Sequence, residues 1–177
     1  MAQNLSFSVA DNRKSFNVTQ EAIEMAKKTA IVKQLQGITL AAKGDSKHWV
    51  MMDGSPTFGG SEAAPSPKEL LLFSLGGCTA MDVIPILKKK RVPLEDFEIR
   101  ISANTQEEHP QVFTDIHLEY VFYGENINPA DVERAIELSQ TKYCSVSAML
   151  SKAVNITHSY RIERSKAPAD TLATVQN

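Results

Sequence analysis

Apolar and polar positions alternate most regularly between Phe113 and Tyr123, where Ile116, Leu118, Tyr120 and Phe122 share one face and Asp115, His117 and Glu119 the other. A period of two marks a half-buried strand. Glu98 to Asn104 precedes it as a further predicted strand, and Ile156 to Arg164 closes the pattern as the last. Upstream, Ala30 to Leu35, Ile38 to Lys43 and His48 to Asp53 are short β-prone runs punctuated by Gln36-Gly37 and Gly44-Asp45-Ser46, which predicts an antiparallel three-strand meander. The stretch Leu70 to Leu87 differs in kind, being apolar on every side. It follows a loop from Gly54 to Pro67; Ser66 offers a capping hydroxyl and Pro67 a first-turn residue that needs no N–H partner, so a helix is predicted from there toward Lys90. A helix without a polar face has to be surrounded by protein. Asn128-Pro129 opens a second helix through about Gln140 by the same logic, and a short third is predicted from about Cys144 to Lys152. The order βββ-α-ββ-α-α-β is that of an α+β fold.

The amino-terminal residues 1–26 read as an extension, polar and aperiodic up to a run of good helix formers from Thr19 to Lys28. Residues 27–165 are expected to form the domain, and 166–177 a flexible tail. A chain of 177 residues suits one domain of about 150 with a short addition. Nothing at the start has the basic and then apolar pattern of a signal peptide. The apolar stretch carries an uncharged run of twelve residues before Asp82 and is interrupted by Gly76, Gly77 and Pro85, too short for a membrane span of about 20 residues. With 19 Lys plus Arg against 21 Asp plus Glu, and no basic block, attraction to nucleic acid or to an anionic membrane has no visible source. Two cysteines are too few for a disulfide scaffold, so a reducing cytoplasm is the expected setting.

Candidate chemistry therefore starts from those cysteines. Cys144 falls at the start of a predicted helix with Lys142 two residues away, a setting that favours thiolate. Cys78 lies mid-helix after Gly76-Gly77, where two missing side chains admit a second backbone or a small substrate, at a cost of about 1 kcal/mol each in helix propensity. Asp82 is four residues on, hence on nearly the same face, where a carboxylate opposes thiolate and is expected to cap or pair with another element. From the residues alone, the favoured reading of both cysteines is that they are inert core side chains. The histidines at 48, 109, 117 and 158 are scattered and no C-x-x-C or H-x-x-x-H spacing occurs, so no metal site is expected. No Walker loop, G-x-G-x-x-G or G-x-S-x-G is present, and no cofactor is implied.

Phe58-Gly59-Gly60, Pro65-Ser66-Pro67-Lys68-Glu69-Leu70-Leu71, Ser74-Leu75-Gly76-Gly77-Cys78-Thr79-Ala80-Met81 and Tyr143-Cys144-Ser145-Val146-Ser147 together resemble the OsmC/Ohr family over about residues 27 to 164, and most closely its OsmC-like, YhfA-like branch. The resemblance implies an intertwined homodimer with central helices packed against shared antiparallel sheets. It also implies a thiol peroxidase for oxidative stress, in which Cys78 attacks an organic hydroperoxide, Cys144 resolves the sulfenic acid, Glu69 serves as the site carboxylate and a thiol reductant restores the pair.

Two departures from the peroxidase branches bear on that expectation. The carboxylate stands one place later than their Pro-Glu pair, because Pro67 is followed by Lys68 and only then by Glu69. Their first hairpin loop carries an arginine, whereas here it is Gln36-Gly37 and no arginine occurs between Arg13 and Arg91. Slow hydroperoxide reduction that quickens with pH is the expected result; a fast rate independent of pH would mean that Lys68 or Arg13 replaces the arginine. The rivals are a non-peroxidase module that binds a small apolar or thiol ligand at the dimer interface, and a hydrolase or thiol-transfer enzyme using Cys78 without peroxide.

Overall fold

A computed structural model describes residues 27–164. The expected extension over 1–26, its predicted helix and the tail over 166–177 lie outside the described residues. The chain divides into two compact units, one ending at Pro65 and the other beginning at Ser66.

In the first unit β1 (Ala30–Gln36), β2 (Thr39–Gly44) and β3 (Trp49–Met52) pair antiparallel in the order β1-β2-β3, as the meander pattern predicts. Gly37 turns the first hairpin at a positive φ of 56° that glycine adopts without strain. The loop after β3 is tied to Asp53, whose carboxylate accepts from the backbone of Gly54, Ser61 and Ala63 and from the Ser61 hydroxyl at 2.6 Å. These bonds hold the Asp53 carboxyl far below the usual carboxylate range, the Ser61 hydroxyl contributing most. Gly60 is required there, because a Cβ would sit 1.9 Å from the Gly54 carbonyl oxygen.

The second unit contains α1 (Pro67–Lys89), β4 (Asp96–Thr105), β5 (Phe113–Tyr123), α2 (Pro129–Leu138), a π turn over Ser139–Tyr143, α3 (Ser145–Leu150) and β6 (Asn155–Glu163). Its sheet order is β4-β5-β6. β4 pairs antiparallel with β5, but β5 and β6 run parallel, so the expectation of wholly antiparallel sheets is corrected at this pairing. The physical reason is the connection: the two helices and π turn between β5 and β6 form a crossover that returns the chain to its starting end, as parallel strands require.

Ser66 caps α1 and Glu69 completes a capping box, since the Ser66 hydroxyl accepts from the Glu69 N–H and a Glu69 oxygen accepts from the Ser66 N–H at 2.7 Å. Asn128 caps α2 by accepting from Ala130 N. The alternating face of β5 supplies the core: Ile116, Leu118, Tyr120 and Phe122 are fully buried with Leu75, Val83 and Leu87 of α1 and Val132, Ala135 and Ile136 of α2. By length and composition α1 could cross a membrane, its most apolar window having a mean hydropathy of 1.9. Instead, the stripe through Leu75, Thr79, Val83 and Leu87 is buried in this core, while Phe73 and Met81 are 55% and 77% exposed. Within its own unit the helix is thus covered on one face and exposed on the other.

Candidate functional site: a thiol pair beside a buried hydroxyl chain

α1 presents Thr79 to the core and, one residue earlier and three later, Cys78 and Asp82 beside it. The π turn then delivers Cys144. After Leu138 the helix widens, the Cys144 N–H reaching the Ser139 carbonyl at 2.9 Å, and the chain leaves Cys144 as the N-cap of α3. Such one-turn π segments recur at functional sites. Both cysteines are free, with Cys78 half-buried and Cys144 only 2% exposed. The two sulfurs and an Asp82 carboxylate oxygen all lie within 4.8 Å of one another. Closing a disulfide of about 2.05 Å from there needs the sulfurs to approach by less than about 3 Å.

The Cys144 sulfur accepts from Ser147 N at 3.3 Å and Ser147 Oγ at 3.2 Å. Burial nevertheless pushes its thiol above the ordinary value; the Ser147 contacts pull the other way, and the adjacent Cys78 thiol adds to the rise. The expected helix-start position is therefore present, but desolvation outweighs it.

Behind the thiols runs a chain of side-chain hydrogen bonds. Ser139 Oγ donates to Asp82 Oδ2 at 3.0 Å and lies 2.7 Å from Thr79 Oγ1; Thr79 Oγ1 is 2.9 Å from Tyr120 OH, which accepts from Gln140 Nε2 at 2.7 Å. Each hydroxyl has one hydrogen, so counting sets the direction. Ser139 gives its proton to Asp82, Thr79 must give its own to Ser139, and Tyr120 to Thr79. The chain runs Gln140, Tyr120, Thr79, Ser139, Asp82 and ends on the carboxylate. Burial raises the Tyr120 phenol above its ordinary value, which keeps it a donor. Asp82 thus pairs with another element, as expected for it, and the partner is Ser139.

Glu69 is not drawn into this cluster. It stands nine residues from Cys78, about 13.5 Å along the helix axis, with its carboxylate bonded at the cap. Its carboxyl is held below the usual range by the Ser66 N–H first and the Ser66 hydroxyl second. Lys68 is also engaged elsewhere, donating to the Gln111 carbonyl at 2.7 Å and lying over the Phe113 ring. Lys142 lies 5.4 Å from the Tyr143 ring centroid. Arg100, Arg134 and Arg161 pair with glutamates, and Arg13 is outside the described residues. Gly76 packs against Ile101, whose Cδ1 would be 2.6 Å from an added Cβ, whereas Gly77 faces open space in a shallow groove of 330 Å³ lined by Phe73, Ala80, Ile84, Phe97 and Ile101.

Sequence reasoning missed the hydroxyl chain and the grouping of Asp82 with both thiols. One signal was available: Tyr120 on an otherwise apolar strand face needs a partner for its hydroxyl. No spacing could have joined Thr79 to Ser139, or Asp82 to Cys144, before the crossover was known.

The two-sheet α+β chain with paired free cysteines, one on a long apolar helix and one at the head of a later short helix, defines a thiol-bearing class of protein. The OsmC-like protein family model matches residues 59–159, and the chain belongs to that family. It is 44% identical to Protein YhfA of Escherichia coli strain K12 over 133 residues, 75% of this chain and 96% of that protein. A crystal structure of a hypothetical protein from Aquifex aeolicus VF5 superposes with a TM-score of 0.69 at 30% identity, covering 79% of this chain and 98% of the other. A crystal structure described as an organic hydroperoxide resistance protein OsmC from Legionella pneumophila shares the fold with a TM-score of 0.57 at 16% identity, covering 75% and 96%.

Proposed function

We propose that the protein is a cytoplasmic, homodimeric thiol peroxidase that reduces organic hydroperoxides, with Cys78 as peroxidatic and Cys144 as resolving cysteine. The observation that carries this reading is the pair of free sulfurs within 4.8 Å, one half-exposed and one buried. The asymmetry supports these roles. Cys78 is half-buried and so open to a hydroperoxide, while Cys144 is only 2% exposed and has the Cys78 sulfur within 4.8 Å.

In the first step the Cys78 thiolate attacks the distal peroxide oxygen, the O–O bond breaks, and the alkoxide takes a proton to leave as alcohol. Cys78 is then a sulfenic acid. The Cys144 thiolate attacks that sulfur, the S–O bond breaks, and hydroxide leaves as water, giving a disulfide. A thiol reductant returns two electrons and two protons. Because Cys144 starts as a buried thiol with a raised pKa, resolution quickens as pH rises through the neutral range. The exposed face of α1, including Phe73, Met81 and Ile84, supports a second copy as its cover. An apolar interface above about 2,000 Å² is expected.

The test is consumption of cumene hydroperoxide by the reduced full chain. Activity should vanish in Cys78→Ser, while Cys144→Ser should complete one turnover and stop with Cys78 as a sulfenic acid trapped by dimedone. A folded protein with no peroxide-dependent change at either cysteine would favour the second reading, a module that binds a small apolar or thiol ligand. The apolar groove at Gly77 is the observation behind that alternative.

A further inference from the structure

The geometry points to a binding site for a thiophilic divalent cation, Zn²⁺, formed by the Cys78 and Cys144 sulfurs and the Asp82 carboxylate, in a state that excludes the disulfide. All three donor atoms lie within 4.8 Å of one another. Around tetrahedral Zn²⁺, with Zn–S near 2.3 Å and Zn–O near 2.1 Å, donors stand roughly 3.5 to 3.8 Å apart. A contraction of about 1 Å closes the set. Rotation of three side chains can supply it, because Cys78 and Asp82 are four residues apart on one helix and Cys144 sits on a cap.

The donor types decide the ion. Two thiolates select against Mg²⁺ and Ca²⁺, and a carboxylate as third donor favours Zn²⁺ over Cu⁺. Ser139 anchors the carboxylate through Oδ2 and is itself held by Thr79, which Tyr120 holds in turn, the outer hydrogen bonding that fixes metal-ligating carboxylates. Cys78 and Asp82 are half-buried, so the fourth position opens to water, as in zinc sites with three protein ligands. Charge points the same way. Among the described residues the arginines at 100, 134 and 161 are paired with glutamates and Lys68 is bonded to Gln111, so none of these four balances the Asp82 carboxylate and the two thiolates, as a bound cation would.

Binding replaces both thiol protons and involves no electron transfer. Oxidation of the loaded pair by a hydroperoxide consumes two protons, passes two electrons from the thiolates to the O–O bond, and releases Zn²⁺, alcohol, water and the disulfide. The ion and the disulfide are thus alternative states of one pair, and Zn²⁺ would act as a brake on its oxidation.

The reduced full chain, kept anaerobic, is titrated with Co²⁺ as a spectroscopic stand-in. The expected result is one Co²⁺ per chain, with sulfur-to-cobalt charge-transfer absorption and tetrahedral d–d bands, displaced by equimolar Zn²⁺. Asp82→Asn should weaken binding at least tenfold, and Cys78→Ser or Cys144→Ser should remove the two-thiolate spectrum. Should a variant fail to fold, the wild-type chain decides the matter: saturating Zn²⁺ should slow iodoacetamide alkylation of both cysteines at least tenfold. Absence of charge transfer in the folded wild type, unprotected thiols, or unchanged affinity in Asp82→Asn would overturn the site. No peroxide enters these measurements, so their outcome is independent of the peroxidase reading.

Discussion

The units on either side of Ser66 place their apolar side chains differently. In residues 66–164, the β5 stripe of Ile116, Leu118, Tyr120 and Phe122 is fully buried under helices. In residues 27–65, Val32 is 57% exposed and Trp49 50%, and Ile31, Leu35, Val50 and Met51 are exposed as well. The sequence patterns differ correspondingly. β5 alternates, the signature of a sheet with one wet face, whereas Ile31-Val32 and Trp49-Val50-Met51 are unbroken apolar runs, typical of strands covered on both faces. A three-strand sheet cannot supply that cover itself. The second unit thus has a buried core of its own beside the open face of α1, whereas the first leaves most of its large apolar side chains exposed, and for both exposed faces the proposed dimer would be the cover.

Truncation in each unit should break or sharpen that contrast. Phe122→Ala removes a fully buried ring from the finished core and should cost about 3 to 5 kcal/mol in urea unfolding. Trp49→Ala is its counterpart. Under the proposed dimer it should cost more than about 2 kcal/mol and make the midpoint depend more strongly on protein concentration. A loss below about 0.5 kcal/mol, independent of concentration, would mean that the first sheet stays uncovered.

Within the second unit, the hydroxyl chain can be cut while side-chain volume is kept. Thr79→Val leaves Ser139 without its donor and Tyr120 without its acceptor, both buried. A cost of about 1 to 3 kcal/mol is expected from those unsatisfied groups. With Ser139 freed to turn, Asp82 should lose its fixed orientation. An unchanged melting midpoint would show that the chain is not a structural element.

How legible this was in the sequence depended on whether a feature is local. The β5 alternation, the Ser66-Pro67 and Asn128-Pro129 helix starts and the Gln36-Gly37 turn are each set within a few residues, and the structure places them as read. The S-x-x-E pattern over Ser66 to Glu69 was equally local, and it explains Glu69 as a capping residue. The π turn was not legible, because Ser139 to Tyr143 carries no glycine, proline or period that separates it from α2. Nor was the parallel β5–β6 pairing, which follows from the length of the crossover. The thiol pair was available only through family resemblance, since its members are 66 residues apart and belong to different helices.

Acid should expose a further difference between the units. The Asp53 carboxyl is held well below its unfolded value near 3.9 by the bonds that shape the loop after β3. A depressed folded pKa gives stability that is fully present above the unfolded pKa and is lost as pH falls toward the folded one. The wild type should lose stability below about pH 4, with amide exchange rising first in residues 54–65 of the first unit. Asp53→Asn should flatten the acid limb and lower stability at neutral pH. An acid limb unchanged by the substitution would place the sensitive carboxylates elsewhere.

The smallest expected effect concerns Glu69, where two roles predict opposite patterns. As a capping residue its carboxylate accepts one backbone hydrogen bond at an exposed helix start, and glutamine can occupy the same position in a capping box. Glu69→Gln should then cost less than about 0.5 kcal/mol, while Ser66→Ala, which removes the hydroxyl cap, should cost about 1 kcal/mol. Its depressed pKa has the same sign as that of Asp53: the contribution is present above about pH 4.3 and fades below it, damped here by solvent. The carboxylate role implied by family resemblance predicts something else, namely hydroperoxide reduction that falls at least tenfold in Glu69→Gln with thermal stability unchanged. Because Glu69 sits about 13.5 Å along α1 from Cys78 within one chain, the capping pattern is expected in stability and little change in rate. A large rate loss would place this carboxylate in the reaction, and the first comparison to make would then be the same variant in mixed dimers with Cys78→Ser, which report whether Glu69 acts on its own chain or on its partner.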